Sequence, residues 1–277
     1  MAKKKMSIPD FKKFKEEGRR FAYVTAYDYT TASIVNDSQV EVILVGDSLG
    51  MIMLGYDETV AVTMEDMIHH IKPVVRGAPD TFVAGDMPFG SYEVSVEKAV
   101  ENAIRIYKEG GCDCVKLEGG AEFAPTIEAI VKAGVPVMGH IGLTPQTAGS
   151  LGGYKVQGGT PAEARKLVSD AKEIEKAGAF SLVVECVPSG VAKALTEAVK
   201  IPVLGIGAGP HVDCQVLVTQ DLLGMYGDFK PKFVKRYANI RQQMVEALNE
   251  FHRESLAGEF PSEEYSFNKE VEGFEIE

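Results

Sequence analysis

Five short apolar runs in this chain each stop at a residue able to move protons or grip a metal ion. Val42 to Gly46 stops at Asp47 and Ser48, Thr81 to Gly85 at Asp86, and Val135 to Gly139 at His140. Leu182 to Val184 stops at Glu185, and Cys114-Val115 leads into Lys116-Leu117-Glu118. If these runs are neighbouring strands, their ends share one pocket. Four carboxylates in one pocket cannot all ionise without a counter-charge, and a divalent cation supplies it. Ligation by oxygen favours a hard ion such as Mg²⁺ over Zn²⁺, which prefers nitrogen and sulfur. Asp47 and Asp86 are the expected ligands, with Glu118 completing the site directly or through water.

Lys116 and Glu118 lie two apart, so on a strand they point to the same side. A cationic Lys116 there suits a substrate carboxylate. A Schiff-base role would need a depressed pKa, which nearby carboxylates oppose. Glu185 sits between Val183-Val184 and Cys186-Val187-Pro188. Desolvation by such flanks raises a carboxyl pKa toward that of a general base. His140 could serve as ligand, hydrogen-bond donor or structural group, with substrate contact preferred. An acid after a strand can also simply cap the next helix. Asp47, Asp86 and Glu118 together favour a site. Gly205 to Pro210 is glycine-rich but lacks the G-x-G-x-x-G spacing, and close packing explains it as well as anion binding does.

Apolar runs of this length separated by helical patterns read as parallel strands buried on both faces. Polar groups at their C-terminal ends mark the mouth of an α/β barrel. The expected strands are 21–26, 42–46, 81–85, 113–117, 135–139, 181–184, 201–206 and 215–218. The expected architecture is a single-domain (β/α)8 TIM barrel with an N-terminal capping helix. Residues 1–20 form the cap, 21–257 the barrel and 258–277 an acidic tail. The intervals between Asp47, Asp86 and Glu118 each suit one βα unit of roughly 30 or more residues.

A helix should open at Thr63, with Asp66 completing a capping box. Another should start at Ser95 with Val96, Val100, Ile104 and Tyr107 on one face. Residues 121–133 read as a helix stopped by Gly134. Ile141 to Gly159 reads as a long loop limiting solvent access to the mouth. Thr160-Pro161 opens a helix, and 233–256 reads as a long amphipathic one. An open doubly wound sheet would need a Gly-rich turn after the first strand. Tyr27-Asp28-Tyr29-Thr30 offers none.

The chain has 277 residues, 45% of them hydrophobic, and a net charge of -11. A TIM barrel typically takes about 250 residues. The acidic balance argues against nucleic-acid or anionic-membrane partners, because phosphate contacts need clustered Lys and Arg. No apolar run has transmembrane length. Lys3-Lys4-Lys5 is followed by no signal-peptide core, so cytoplasmic residence is the expectation. Cys112, Cys114, Cys186 and Cys214 are too few for a disulfide scaffold. Cys112 and Cys114 should share one face of a strand as packing groups. His69 and His70 should be surface residues of a helix.

Taken in order, the motifs resemble those of the 3-methyl-2-oxobutanoate hydroxymethyltransferase (ketopantoate hydroxymethyltransferase) family. They are Gly46-Asp47-Ser48-Leu49-Gly50, Gly85-Asp86-Met87-Pro88-Phe89, Val115-Lys116-Leu117-Glu118-Gly119 and Gly139-His140-Ile141-Gly142-Leu143-Thr144-Pro145-Gln146, then Gly153-Tyr154-Lys155-Val156-Gln157-Gly158, Glu185-Cys186-Val187-Pro188 and Gly205-Ile206-Gly207-Ala208-Gly209. The match runs from about Thr25 to Gly227.

The resemblance implies Mg²⁺-dependent transfer of a hydroxymethyl group from 5,10-methylenetetrahydrofolate to 3-methyl-2-oxobutanoate. The product is 2-dehydropantoate, in pantothenate biosynthesis. It implies Asp47, Asp86 and Glu118 as metal positions. Asp47, Ser48, Asp86 and Lys116 would contact the oxo acid, His140 would lie near it, and Glu185 would accept the proton. The family forms homo-oligomers, often decamers. Gly159 and Cys214 depart from its usual residues. A Mg²⁺-dependent lyase or mutase acting on related acids is the alternative enzyme, although the isocitrate lyase signature Lys-Lys-Cys-Gly-His is absent. A metal-binding scaffold without turnover is the third reading.

Overall fold

The computed structural model describes residues 3–227, 230–269 and 272–273. Helix α1 (Ile8–Glu16) precedes the barrel. Eight parallel strands then close in chain order. They are β1 (Phe21–Thr25), β2 (Val42–Val45), β3 (Phe82–Asp86), β4 (Cys114–Glu118), β5 (Val137–Gly142), β6 (Ser181–Glu185), β7 (Val203–Ile206) and β8 (Cys214–Leu217). Between and after them run α2 (Tyr29–Asp37), α3 (Leu49–Ile52), α4 (Met64–Gly77), α5 (Val96–Arg105), α6 (Ala124–Lys132), α7 (Pro161–Lys176), α8 (Ser189–Ala198), α9 (Thr219–Leu222) and α10 (Ile240–Ala257). The expected (β/α)8 TIM barrel is therefore the fold. Strand ends move by a few residues, most at β5, which starts at Val137 and continues through His140 to Gly142.

Alternation along the strands builds the interior in layers. Tyr23, Val42, Phe82, Ala84, Cys114, Met138, Val183, Leu204, Cys214 and Val216 form an apolar floor. One step further along the same faces, the inward residues become Asp86, Lys116, His140 and Glu185, and one step beyond Lys116 comes Glu118. Register aligns them: Asp86 pairs with Lys116 and Glu118 with His140. Helix α1 closes the floor. Its fully buried Phe11 stacks edge-on against Phe21, Phe82 and Phe180 at 5.4, 4.9 and 5.0 Å between ring centres. The capping helix thus contributes core through Phe11 and Phe14.

Caps set where helices start. Thr63 accepts from Asp66 N and Asp66 returns the bond, as expected. Thr160 and Glu163 do the same for α7, with Pro161 at its first position. The structure corrects four other expectations. Helix α5 buries Ala99, Asn102 and Ala103, while Ile104 and Tyr107 stay partly exposed; the small alanines allow the closer approach. Cys112 precedes β4 and packs near Ile71 and Ile106 outside the barrel, whereas Cys114 enters the floor. His70 is half-buried, its Nδ1 2.6 Å from the Tyr27 carbonyl. The last long helix starts at Ile240, not 233, and buries no residue.

The chain divides into two compact units. The barrel unit extends to Thr219 and includes Lys230–Val234; the second begins at Gln220 and resumes at Lys235, so it holds α10. Within the second unit Phe260 packs on Phe251, and Arg253 pairs with Glu250 and Glu259. Of the expected acidic tail, residues 270–271 and 274–277 lie outside the described residues. Cys214, atypical in the resemblance, is a buried floor residue rather than part of a loop.

Gly142 and Gly134 both take left-handed φ, +95° and +92°. A Cβ at Gly142 would lie 2.3 Å from the Glu185 carbonyl oxygen, while one at Gly134 would meet nothing within 4 Å. Gly134→Ala should cost only about 1–2 kcal/mol, the left-handed penalty. Gly142→Ala should cost clearly more, because backbone must also move. Urea unfolding of both variants checks the order.

Candidate active site

Seven expected site residues, Asp47, Ser48, Asp86, Lys116, Glu118, His140 and Glu185, line one cavity of about 180 Å³ at the C-terminal mouth. Each arrives from a strand end, so the sheet itself sets their spacing. Asp47, Asp86, Lys116, Glu118 and His140 are all buried. Glu185 is the most accessible carboxylate, its side chain 16% exposed against 1% for Asp86 and 2% for Glu118. The expected desolvation of Glu185 is therefore only partial. Cys186, directly after it, sits in the left-handed region with φ +47° and turns the chain out of β6. Its carbonyl accepts from Gln157 N and so anchors the long loop.

Lys116 is the hub. Its Nζ lies 2.8 Å from Asp86 Oδ1 and 3.7 Å from Glu118 Oε1. Burial alone would lower the Lys116 pKa, but Asp86, Glu118 and Asp47 outweigh it and hold the amine protonated. That removes the basis for a Schiff-base role. His140 bridges Nδ1 to Glu118 Oε1 at 3.2 Å and Nε2 to Glu185 Oε2 at 3.3 Å. Burial and Lys116 pull its pKa down, yet Glu118 and contacts to both carboxylates prevail and set it at about 9. The carboxylates thus favour protonated His140, against the Lys116 amine 3.2 Å from its Nδ1. Burial works against ionised Glu118, but His140, Lys116 and the Gln146 N–H hold it below the ordinary range.

Asp47 stands differently. Burial, then Asp86 and Glu118, push its carboxyl well above the usual range despite Lys116 and Gln146. Burial raises Asp86 as well, offset in part by Lys116. Asp86 Oδ1 lies 2.8 Å from Lys116 Nζ, and its Oδ2 accepts from Asp47 N at 3.2 Å. Four carboxylates therefore face two side-chain cations, leaving an excess of two negative charges if all ionise. Two adjacent buried aspartates, in excess of the cations around them, have the oxygen donors that suit a hard divalent ion. Glu118 is engaged on both oxygens, Oε1 by His140 and Oε2 by Gln146 N at 3.1 Å. It fits contact through water better than direct ligation. Among the described residues, no group of three or more His, Cys, Asp or Glu side chains is already gathered as a metal cage.

Two buried residues escaped assignment from sequence. Gln146 donates from Nε2 to Asp47 Oδ2 at 2.9 Å. The Tyr92 hydroxyl donates to Gln146 Oε1 at 2.6 Å. Gln146 ends a recognised motif, which was its only signal; Tyr92 follows Asp86 on an irregular loop. Ser48 Oγ lies 2.8 Å from the Tyr27 hydroxyl. Cysteine chemistry drops out, since burial first and Glu185 second push Cys186 up to about 12.

Fold and site together define an α/β-barrel enzyme with acid–base groups at the C-terminal ends of its strands. The family model for ketopantoate hydroxymethyltransferase matches residues 5–263, and the chain belongs to that family. It is a hydroxymethyltransferase. The 3-methyl-2-oxobutanoate hydroxymethyltransferase of Heliobacterium modesticaldum is 57% identical over 97% of this chain and 98% of its own. That of Clostridium beijerinckii is 54% identical, covering 95% and 96%. Among solved structures, a phosphonopyruvate hydrolase complexed with oxalate and Mg²⁺ superposes with TM-score 0.60 at 13% identity, covering 94% of this chain and 93% of that one. A 2,3-dimethylmalate lyase of the PEP mutase/isocitrate lyase superfamily gives 0.57 at 13% identity, covering 94% and 91%. At such identities these structures share the fold.

Removing the hub has a signed consequence. Lys116→Met leaves buried carboxylates without their cation, which typically costs about 3–5 kcal/mol. Those carboxyls protonate more readily in the folded state, so the loss should be larger at pH 8 than at pH 5.5. Urea titrations of both proteins at the two pH values check it.

Proposed function

We propose that this chain transfers a hydroxymethyl group from 5,10-methylenetetrahydrofolate to 3-methyl-2-oxobutanoate, giving 2-dehydropantoate for pantothenate synthesis, with Mg²⁺ at Asp47 and Asp86. The carrying observation is the single cavity in which four carboxylates meet Lys116 and His140. Its volume of about 180 Å³ falls below the ~300 Å³ at which drug-sized sites begin. It suits a small oxo acid. The folate carrier is too large to enter and would approach along the rim, where Met51, Pro145 and half-exposed Tyr154 line the opening.

Asp47 and Asp86 would hold the ion, with Glu118 reaching it through water. When bound, Mg²⁺ supplies a Lewis acid that stabilises negative charge on the keto oxygen. Lys116 and the Ser48 hydroxyl would orient the substrate carboxylate. Glu185 would take the C3 proton: its Oε2 leans on His140, and it is the most accessible carboxylate of the cavity. The His140 imidazolium would keep that carboxylate in place beside Glu118. The C3 carbanion would bond to the folate methylene carbon as one methylene–nitrogen bond breaks, water would replace the second nitrogen to give the product hydroxyl, and the C3 proton with one proton of that water would end on the two freed nitrogens. Residues 148–157, tied down through Gln157 and Cys186, would limit other solvent access.

A cytoplasmic homo-oligomer, a decamer as is common in the family, completes the proposal. All four cysteines are free, which suits a reducing compartment. No helix among the described residues is long and apolar enough to cross a membrane. Helix α10 exposes Met244, Val245, Leu248 and Phe251, an apolar stripe that suits self-association. No nucleic-acid or membrane partner is proposed.

Proton abstraction can be read without the carrier. In D₂O with Mg²⁺ and no folate, NMR should show exchange of the 3-methyl-2-oxobutanoate C3 proton. EDTA or Glu185→Gln should abolish it, and adding 5,10-methylenetetrahydrofolate should yield 2-dehydropantoate. Exchange that survives Glu185→Gln would remove Glu185 from its role.

A further inference from the structure

Gln146 and Tyr92 form a hydrogen-bond chain whose every direction is forced. It begins at Glu118 N–H, a group that can only donate, which reaches the Tyr92 hydroxyl oxygen at 3.2 Å. Tyr92 must therefore point its own proton onward, to Gln146 Oε1 at 2.6 Å. With Oε1 accepting, Gln146 Nε2 faces the other way. It donates to the Met87 carbonyl and to Asp47 Oδ2, both at 2.9 Å. Flipping the amide would set its oxygen against two acceptors and leave Tyr92 facing an N–H₂ group. The Gln146 backbone N–H meanwhile binds Glu118 Oε2 at 3.1 Å.

The two residues are 3% and 2% exposed, so water does not compete for these bonds. The Tyr92 ring is steadied edge-on by Phe123 at 5.3 Å. Gln146 sits on the single turn Pro145–Thr147 after β5, Tyr92 on the loop after β3, and Asp47 just after β2. The chain therefore links the end of β4 to the loops after β2, β3 and β5.

We infer that Gln146 and Tyr92 are positioning residues: they fix the orientation of the Asp47 carboxylate, and its alignment with Glu118, for cation binding. Neither needs to touch substrate. Tyr92 acts at a distance by locking the Gln146 amide the right way round. Supporting groups behind metal ligands typically change metal affinity by about 10–100-fold when lost. The inference rests on the proposed role of Asp47 as a ligand of Mg²⁺.

Mg²⁺ titration calorimetry on the full chain tests it, with wild type, Tyr92→Phe and Gln146→Glu side by side. Tyr92→Phe keeps the ring packing against Phe123 and removes the lock on Gln146 together with the acceptor of the Glu118 N–H. It should bind Mg²⁺ about tenfold more weakly, and the exchange reaction should need more Mg²⁺ yet approach the wild-type rate at saturation. Gln146→Glu, which replaces the donor with an acceptor, should lose more. A purely structural role would lower the melting temperature and leave the Mg²⁺ affinity unchanged, which overturns the inference. If Gln146→Glu fails to fold, Tyr92→Phe alone decides. If wild type itself binds no Mg²⁺, both the ligand assignment and this inference fall.

Discussion

Too much negative charge is buried at the mouth of this barrel for its own cations to balance. Lys116 answers Asp86 and Glu118, and His140 answers Glu118 and Glu185. Asp47 is left over, its carboxyl pushed well above the usual range by burial and by its acidic neighbours. Burying an unpaired carboxylate costs several kcal/mol, so such a group either takes up a proton or finds a cation. The chain's chemistry follows from that imbalance. On the proposed reading, a hard ion held by few protein oxygens would offset that charge and leave room for an acid that chelates the same ion.

The barrel makes this tolerable by keeping the charges in one layer. Inward positions of β3 to β6 are apolar at the floor and polar at the mouth, β7 and β8 stay apolar up to the cavity, and Phe11 of α1 seals the floor from below. Parallel register then does the fine placement. Asp86 falls level with Lys116, and Glu118 with His140, before any side chain is chosen. Every charged group in the layer has a neighbour of opposite sign on the next strand except at Asp47, which follows β2 and is reached instead by Gln146 from across the mouth.

Much of this was legible in the sequence, because buried parallel strands announce themselves as short apolar runs and their catalytic ends as the polar residues that stop them. All seven assigned residues came to one cavity for that reason. Residues whose role depends on irregular backbone were not legible. Tyr92 and Gln146 sit on loops with no periodicity, and only coordinates show their bonds. The bias in charge state was also hidden: His140 has flanks like any core histidine, and only its two carboxylate partners raise its pKa. Helix α5 misled because its large apolar residues suggested one buried face, while the small Ala99 and Ala103 form the contact. The start of α10 was blurred by the apolar residues Phe233 and Val234, which belong with the barrel unit.

The charge imbalance can be measured at Asp47 itself, by following the melting temperature of wild type and Asp47→Asn at pH 8 with and without Mg²⁺. Without metal, Asp47→Asn should melt higher than wild type at this pH, because the cost of burying or protonating the Asp47 carboxyl is gone while the Gln146 hydrogen bond can persist. With Mg²⁺, wild type should gain stability and the variant should gain little. A variant that is less stable without metal, or that Mg²⁺ stabilises as much as wild type, would contradict the central claim.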